Sequence, residues 1–239
     1  MSAGEHQPTR RGASPFPEEH ADARADAGRA VRDVGHALIG HHADTATIEA
    51  LTAELQRWVD TLAEGKRRQR VIERPTGDWG PAPGDGEEMF SFDERPISGR
   101  SSPLGVDARI VRDRDEVVAY ITLDSAHEGA PGRSHGGVTA ALFDDVMGFV
   151  LTVEQQPAFT GELTIRYEAG VPIHEPLECR VRLAGRERRK LYVTGELTST
   201  DPDPVVYARA RGTFIAIDAD AFRINPEASA AGQVDNGTT

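Results

Sequence analysis

Residues 133–151 read RSHGGVTAALFDDVMGFVL, and this stretch decides the fold. An apolar segment of this length reads as a helix inside a core, where carboxylates are uncommon unless they are paired or used. At helical spacing Asp144 shares a face with Gly137, Ala140, Ala141, Gly148 and Leu151. Asp145 shares one with Val138, Ala141, Leu142 and Phe149. The first face is lined with small residues, so another surface or a ligand can come close. Periodicity prefers Asp144 only slightly, and it leaves Asp145 as a solvated or helix-paired charge. In front of the helix stand His135, Gly136 and Gly137. Free backbone N–H groups and the positive dipole end meet there. Glycines let a ligand approach that backbone, which suits a developing oxyanion. A plain tight loop before a helix accounts for the same residues equally well.

Working outward, GVDARIVRD (105–113) and EVVAYITLD (116–124) alternate like strands before the helix. AFTGELTIRYEA (158–169), LECRVRLAG (177–185), KLYVTGELTST (190–200) and VVYARARGTFIAI (205–217) do so after it, with a DPDP turn at 201–204. Two strands, a helix and four strands predict an α+β layout, an antiparallel sheet wrapped around a central helix. This domain is expected over 105–222. Residues 75–104, rich in Pro and Gly, read as a linker with a possible first strand at MFSFDE. Residues 26–74 read as a helical extension. Val31, Val34 and Leu38 mark one apolar face, and Ile48, Leu51, Leu55, Trp58, Val59 and Leu62 a second. Asp44 or Thr47 can cap the second helix and Gly65 can end it. KRRQR at 66–70 reads as a charged helix end. Residues 1–25 and 223–239 lack a hydrophobic period and are predicted to be disordered.

The formal net charge of −12 argues against a nucleic-acid partner, which requires a basic face. A local basic patch can still hold an anion. A single cysteine, Cys179, excludes an intrachain disulfide and a cysteine-based zinc site, and reads as inert core. With no run of about 18 apolar residues and no apolar leader in MSAGEHQPTRRGASPFPEEH, a cytoplasmic chain without a membrane partner is expected.

GRSHGGVTAALFDDVMG (132–148) resembles the helix signature of hotdog-fold acyl-CoA thioesterases of the phenylacetate-pathway type. The matching residues are His135, Gly136, Gly137, Leu142, Asp144 and Gly148. The lead-in HEGAPG and the following FTGELTIRYEAGVPIHEPL extend the likeness over roughly 105–218; the residues before it, the N-terminal 75 or so among them, lie outside. The resemblance implies a hotdog fold with an N-terminal helical extension, assembled as a homodimer or homotetramer, with acyl-CoA as substrate and neither cofactor nor metal. It implies Asp144 as catalytic carboxylate, acting as general base or nucleophile. It implies the N–H of Gly136 as oxyanion donor, with Gly137 beside it at the substrate, His135 positioning the thioester end, and Thr160 placing the water. Some relatives carry an Asn or Gln before the His-Gly-Gly; here Glu128, Gly129, Ala130 and Pro131 stand there.

Spacing adds an independent constraint. Gly136 and Asp144 are eight residues apart, about 12 Å along a helix axis, and an aspartate reaches back only a few ångströms. One thioester carbon cannot touch both groups of one helix, so a shared site requires two chains. For the phosphates of coenzyme A, Arg180, Arg182, Arg186, Arg188, Arg189 and Lys190 surround a turn. Arg188, Arg189 and Lys190 are the preferred binders, and a solvated hairpin is the competing reading. His41, His42, His127 and His174 suggest no catalytic role. The alternative function is an acyl-CoA-binding hotdog regulator without hydrolysis, although no basic recognition helix stands out in the extension.

Overall fold

The computed structural model describes residues 20–66 and 82–217. Two helices, α1 (Ala21–Gly40) and α2 (Thr45–Ala63), precede the domain. The strands are β1 (Arg109–Asp113) and β2 (Glu116–Thr122), then β3 (Ala158–Tyr167), β4 (Pro176–Glu187), β5 (Lys190–Ser199) and β6 (Val206–Ala216). Helix α3 (Gly136–Val153) lies between β2 and β3, after a 3-10 turn at Ser125–His127. All pairings are antiparallel, in the order β1-β2-β4-β5-β6-β3. This is the expected hotdog fold: one sheet with a helix on its inner face.

Alternation in the strands explains the burial. Leu177, Cys179 and Val181 of β4, Leu191, Val193 and Leu197 of β5, and Ala208, Ala210 and Phe214 of β6 form the inner face. They meet Leu142, Phe143, Val146 and Met147 of α3, all fully buried. The outer face carries a register row of charges, Arg180–Glu196–Arg209–Arg166. Cys179 is core, as expected, and burial pushes its thiol up. Although no continuous apolar run of about 18 residues exists, the 18-residue α3 is long and apolar enough to cross a membrane, with mean hydropathy 1.4. The sheet supplies its apolar surroundings instead.

Three local expectations need revision. Helix α1 starts at Ala21, inside the stretch 1–25 predicted to be disordered; residues 1–19 and 218–239 lie outside the described residues. The apolar face read on α1 is not the packed one. Val31 and Leu38 are exposed, whereas Gly28 and Arg32 are buried. Arg32 donates to the carbonyls of Arg100 and Ser102 and pairs with Asp107 at 3.2 Å. A Cβ on Gly28 would stand 2.4 Å from the Ser101 carbonyl oxygen, so the helix approaches that backbone only because the residue is glycine. The third concerns the linker. Residues 91–105 form a packed strap in which Ser98, Ser101, Ser102 and Asp93 are buried, and Met89 bonds to β1 through the Ile110 carbonyl. The phenylalanines of MFSFDE therefore mark a covering segment beside β1, with one bridge from Glu88 to Val111. Helix α2 is capped by Asp44, which accepts from the Thr47 N–H at 2.7 Å. KRRQR falls outside the described residues except Lys66.

Candidate active site

The two aspartates separate cleanly. Asp145 is buried and receives the Arg95 guanidinium at 2.9 Å and the Ser98 N–H at 3.1 Å. Arg95 also donates to the Asp145 carbonyl at 2.7 Å and stacks on Phe149. Asp145 thus ties α3 to the strap, and the reading of it as a solvated or helix-paired charge is corrected. Its partner came from a segment read as linker. The same contact explains Gly148. A Cβ there would lie 2.8 Å from an Arg95 nitrogen, so this small residue makes room for the clamp rather than for a ligand.

Asp144 is exposed and accepts a hydrogen bond from the Thr160 hydroxyl at 2.8 Å. Alternation alone would turn Thr160 away from α3, because Leu163, Ile165 and Tyr167 face it. A register shift between Thr160 and Glu162 inserts Gly161 as a bulge, and this returns Thr160 to the helix side. The bulge therefore creates the Asp144–Thr160 pair.

At the other end of the helix His135 is the N-cap. Its ring Nδ1 accepts from the Gly137 N–H at 3.0 Å. The His135 carbonyl accepts from Val138 and Thr139. The N–H of Gly136 therefore has no protein acceptor among the described residues, while the N–H of Gly137, expected at the substrate, is engaged. The Tyr167 hydroxyl donates to the Gly136 carbonyl at 2.8 Å and fixes the plane of the following peptide. Sequence reasoning missed Tyr167; its signal was its position at the end of the helix-facing row of β3. His127, likewise set aside, holds the loop from beneath. Its carbonyl accepts from the His135 N–H at 2.8 Å, and its Nδ1 accepts from the Asp124 N–H at 3.0 Å. Its ring packs edge-on against His36 of α1. Burial, the His36 and Arg32 charges opposing Asp124, lowers its pKa to about 4.

The basic cluster divides. Arg180 is taken up by Asp113, Glu116 and Glu178 on the outer face. Arg188 and Arg189 form the β4–β5 turn, with Arg188 at φ 52 and the Arg189 Nε donating to the Ala216 carbonyl. Lys190, Ile215 and Phe159 occupy one register row, so the turn lies at the Thr160 end of the sheet, about 10 Å away across two strands. A cavity of about 840 Å³ on the outer face is lined by paired Arg and Glu residues and by none of α3. It is a charged sheet surface, away from Asp144. Among the described residues no group of three or more His, Cys, Asp or Glu side chains is placed to hold a metal ion.

Comparison with known proteins places a match over the same stretch of chain. Residues 132–206 match the family model described as Thioesterase superfamily. Acyl-coenzyme A thioesterase THEM5 of Homo sapiens is 32% identical over 90 residues, which are 38% of this chain and 36% of that protein. Acyl-coenzyme A thioesterase THEM4 of Rattus norvegicus is 30% identical over 93 residues, 39% of this chain and 40% of that protein. The alignments thus span well under half the length of these curated relatives. The crystal structure of a thioesterase superfamily protein shares the fold, with TM-score 0.68 and 24% identity over 85% of this chain and 93% of that one. The stretch 132–206, which holds His135, Gly136, Asp144, Thr160 and the basic turn, is thus similar to the thioesterase superfamily, and the chain around it shares the fold of a thioesterase superfamily structure.

Proposed function

We propose that this chain is an acyl-CoA thioesterase whose active site is completed by a second copy. The observation that carries the reading is the division of labour along β3. Thr160 near one end holds Asp144, and Tyr167 at the other end holds Gly136, whose N–H has no acceptor among the described residues. These anchors are seven residues apart, on the order of 20 Å along the strand, so one thioester cannot use both in one chain.

The strand also supports a means of assembly. β1 is covered by 86–89, whose backbone bonds to Ile110 and Arg112, while β3 is an edge of the sheet that no strand covers among the described residues. Phe159 and Tyr167 are exposed there. An uncovered edge is a template for another strand. Antiparallel pairing of two β3 strands brings the Thr160 end of one against the Tyr167 end of the other. Asp144 then faces Gly136 of the partner subunit, twice per dimer.

In the reaction Asp144 removes a proton from a water held by Thr160, and the water oxygen bonds to the thioester carbon. The carbonyl oxygen becomes an oxyanion, stabilised by the N–H of Gly136 of the partner subunit and its helix dipole. The carbon–sulfur bond then breaks, and the CoA thiolate leaves and takes up a proton. Direct attack by Asp144, through an anhydride that water opens, gives the same products. His135 positions the Gly136 peptide by capping the next N–H. Arg188, Arg189 and Lys190, at the Asp144 end, supply cations for CoA phosphates.

A panel of acyl-CoA esters with free-thiol detection tests the reading. Asp144→Asn is expected to lower turnover at least about 100-fold, the scale of a lost acid–base group. Full activity in Asp144→Asn, or CoA-ester binding by the wild type without turnover, overturns it; the latter outcome identifies an acyl-CoA-binding regulator.

A further inference from the structure

Helix α2 is the part of the molecule the proposed reaction does not use. None of its 19 residues is buried, and among the described residues it shares no extensive interface with another helix or strand. Yet Ile48, Leu51, Leu55, Trp58 and Leu62 follow one another at intervals of three, four, three and four residues. This is the a/d repeat of a helix seam, about 21 Å long, and Leu62 is 76% exposed and Trp58 49%. Most helical stability in proteins comes from packing an apolar face, so the seam is expected to be covered.

The residues beside the seam select the occupant. In the same repeat the flanking e and g positions hold Thr47, Thr52, Glu54, Val59 and Thr61. Only Glu54 is charged, and Arg57 of its own helix pairs with it while Trp58 donates to it. The remaining charges, Glu49, Arg57, Asp60 and Glu64, lie on the outward positions. Flanking charges are what specify a different partner or forbid self-pairing in such seams. Here the chain carries a net charge of −12 but presents an almost neutral border at this stripe, so two copies can close on each other without like-charge repulsion.

We infer that α2 pairs with α2 of a second copy along Ile48, Leu51, Leu55, Trp58 and Leu62. The seam is centred on Leu55, so this residue meets its own counterpart in either a parallel or an antiparallel two-fold pair. Two heptads are short for two free chains, and the pairing gains from attachment to a domain that itself associates.

Leu55→Cys in the full chain provides the test, since the one native cysteine, Cys179, is buried. Mild oxidation is expected to give a disulfide-linked species at twice the 25.9 kDa chain mass. Ala53→Cys, on the opposite side of α2, is the control and is expected to give about fivefold less, because its Cβ atoms cannot approach to bonding distance. Adding Trp58→Glu to Leu55→Cys is expected to remove the linked species while circular dichroism stays that of the folded domain. Equal linkage at 53 and 55, or no linkage at 55 with the domain folded, overturns the pairing. So does persistence of the link with Trp58→Glu. Linkage is read without turnover, so Asp144→Asn in the Leu55→Cys chain leaves it intact and separates this inference from the proposed reaction.

Discussion

At the residue scale, adjacent carboxylates on one helix have opposite surroundings, and their variants should fail in opposite ways. Asp145→Ala leaves the Arg95 guanidinium, 22% exposed, and the buried Ser98 N–H without their acceptor. Removing one partner of such a pair is expected to cost about 2–4 kcal/mol, read as a lower urea midpoint. Asp144→Asn changes an exposed group and is expected to shift stability by no more than about 0.5 kcal/mol, while its turnover collapses. A large stability loss in Asp144→Asn would move it to a structural role. Helical spacing brought this pair into view and preferred Asp144 slightly. It could not show why, because the residue that claims Asp145 is Arg95, fifty positions upstream in a stretch whose Pro and Gly content suggests a linker. The Asp144–Thr160 pair was named only through the resemblance, since strand alternation hides it until the Gly161 bulge is seen.

At the element scale, α1 grips both supports of the candidate site. Arg32 holds the strap that carries Arg95 and Ser98. His36 accepts from the Ala126 N–H and packs on His127, whose carbonyl holds His135. Gly28→Val cannot be accommodated without moving the Ser101 backbone, so it is expected to undock α1 at a cost of about 1–3 kcal/mol. Faster proteolysis at 41–44 with the sheet intact would show this; unchanged cleavage would not. His127 adds a pH dependence of known sign. Its folded pKa of about 4 lies below the ordinary 6.5, so it stays neutral in the folded chain while the unfolded chain takes up a proton. Stability is full above pH 6.5 and declines as pH falls toward 4, by up to about 3 kcal/mol from this group. His127→Asn keeps an acceptor for the Asp124 N–H and removes the titration, and it should flatten that slope; an unchanged slope would assign it to other groups. Element order and type were legible from period and turn residues, because β4, β5 and β6 alternate over most of their length. The docked face of α1 was not, because it consists of a glycine and an arginine whose stabilisation is by hydrogen bonds to carbonyls rather than by apolar area.

At the scale of the whole molecule, the candidate site is incomplete within one chain, and this gives a test that no single variant supplies. In the proposed dimer each site takes Asp144 from one chain and the Gly136 N–H from the other. Gly136→Pro removes that N–H at the first helical position, where proline is accepted. The preceding His135 already has φ −64 and ψ 134, the extended conformation a following proline requires. Loss of the oxyanion donor is expected to lower turnover about 100- to 1,000-fold. Asp144→Asn is expected to be similarly inactive for the reason given above. When the two variants are co-expressed in equal amounts with different tags, half of the dimers are mixed. Each mixed dimer holds one site with both defects and one with none, so the population should recover about a quarter of wild-type turnover. Doubly tagged dimers, isolated through both tags, should reach about half. If Asp144 and Gly136 of the same chain served one site, every site in every dimer would stay defective and mixing would restore nothing. Placing Asp144→Asn and Gly136→Pro in the same chain and co-expressing it with wild type is the converse test: sites shared between chains leave every mixed dimer with one defect per site and about a quarter of wild-type turnover, whereas sites within one chain would leave about a half.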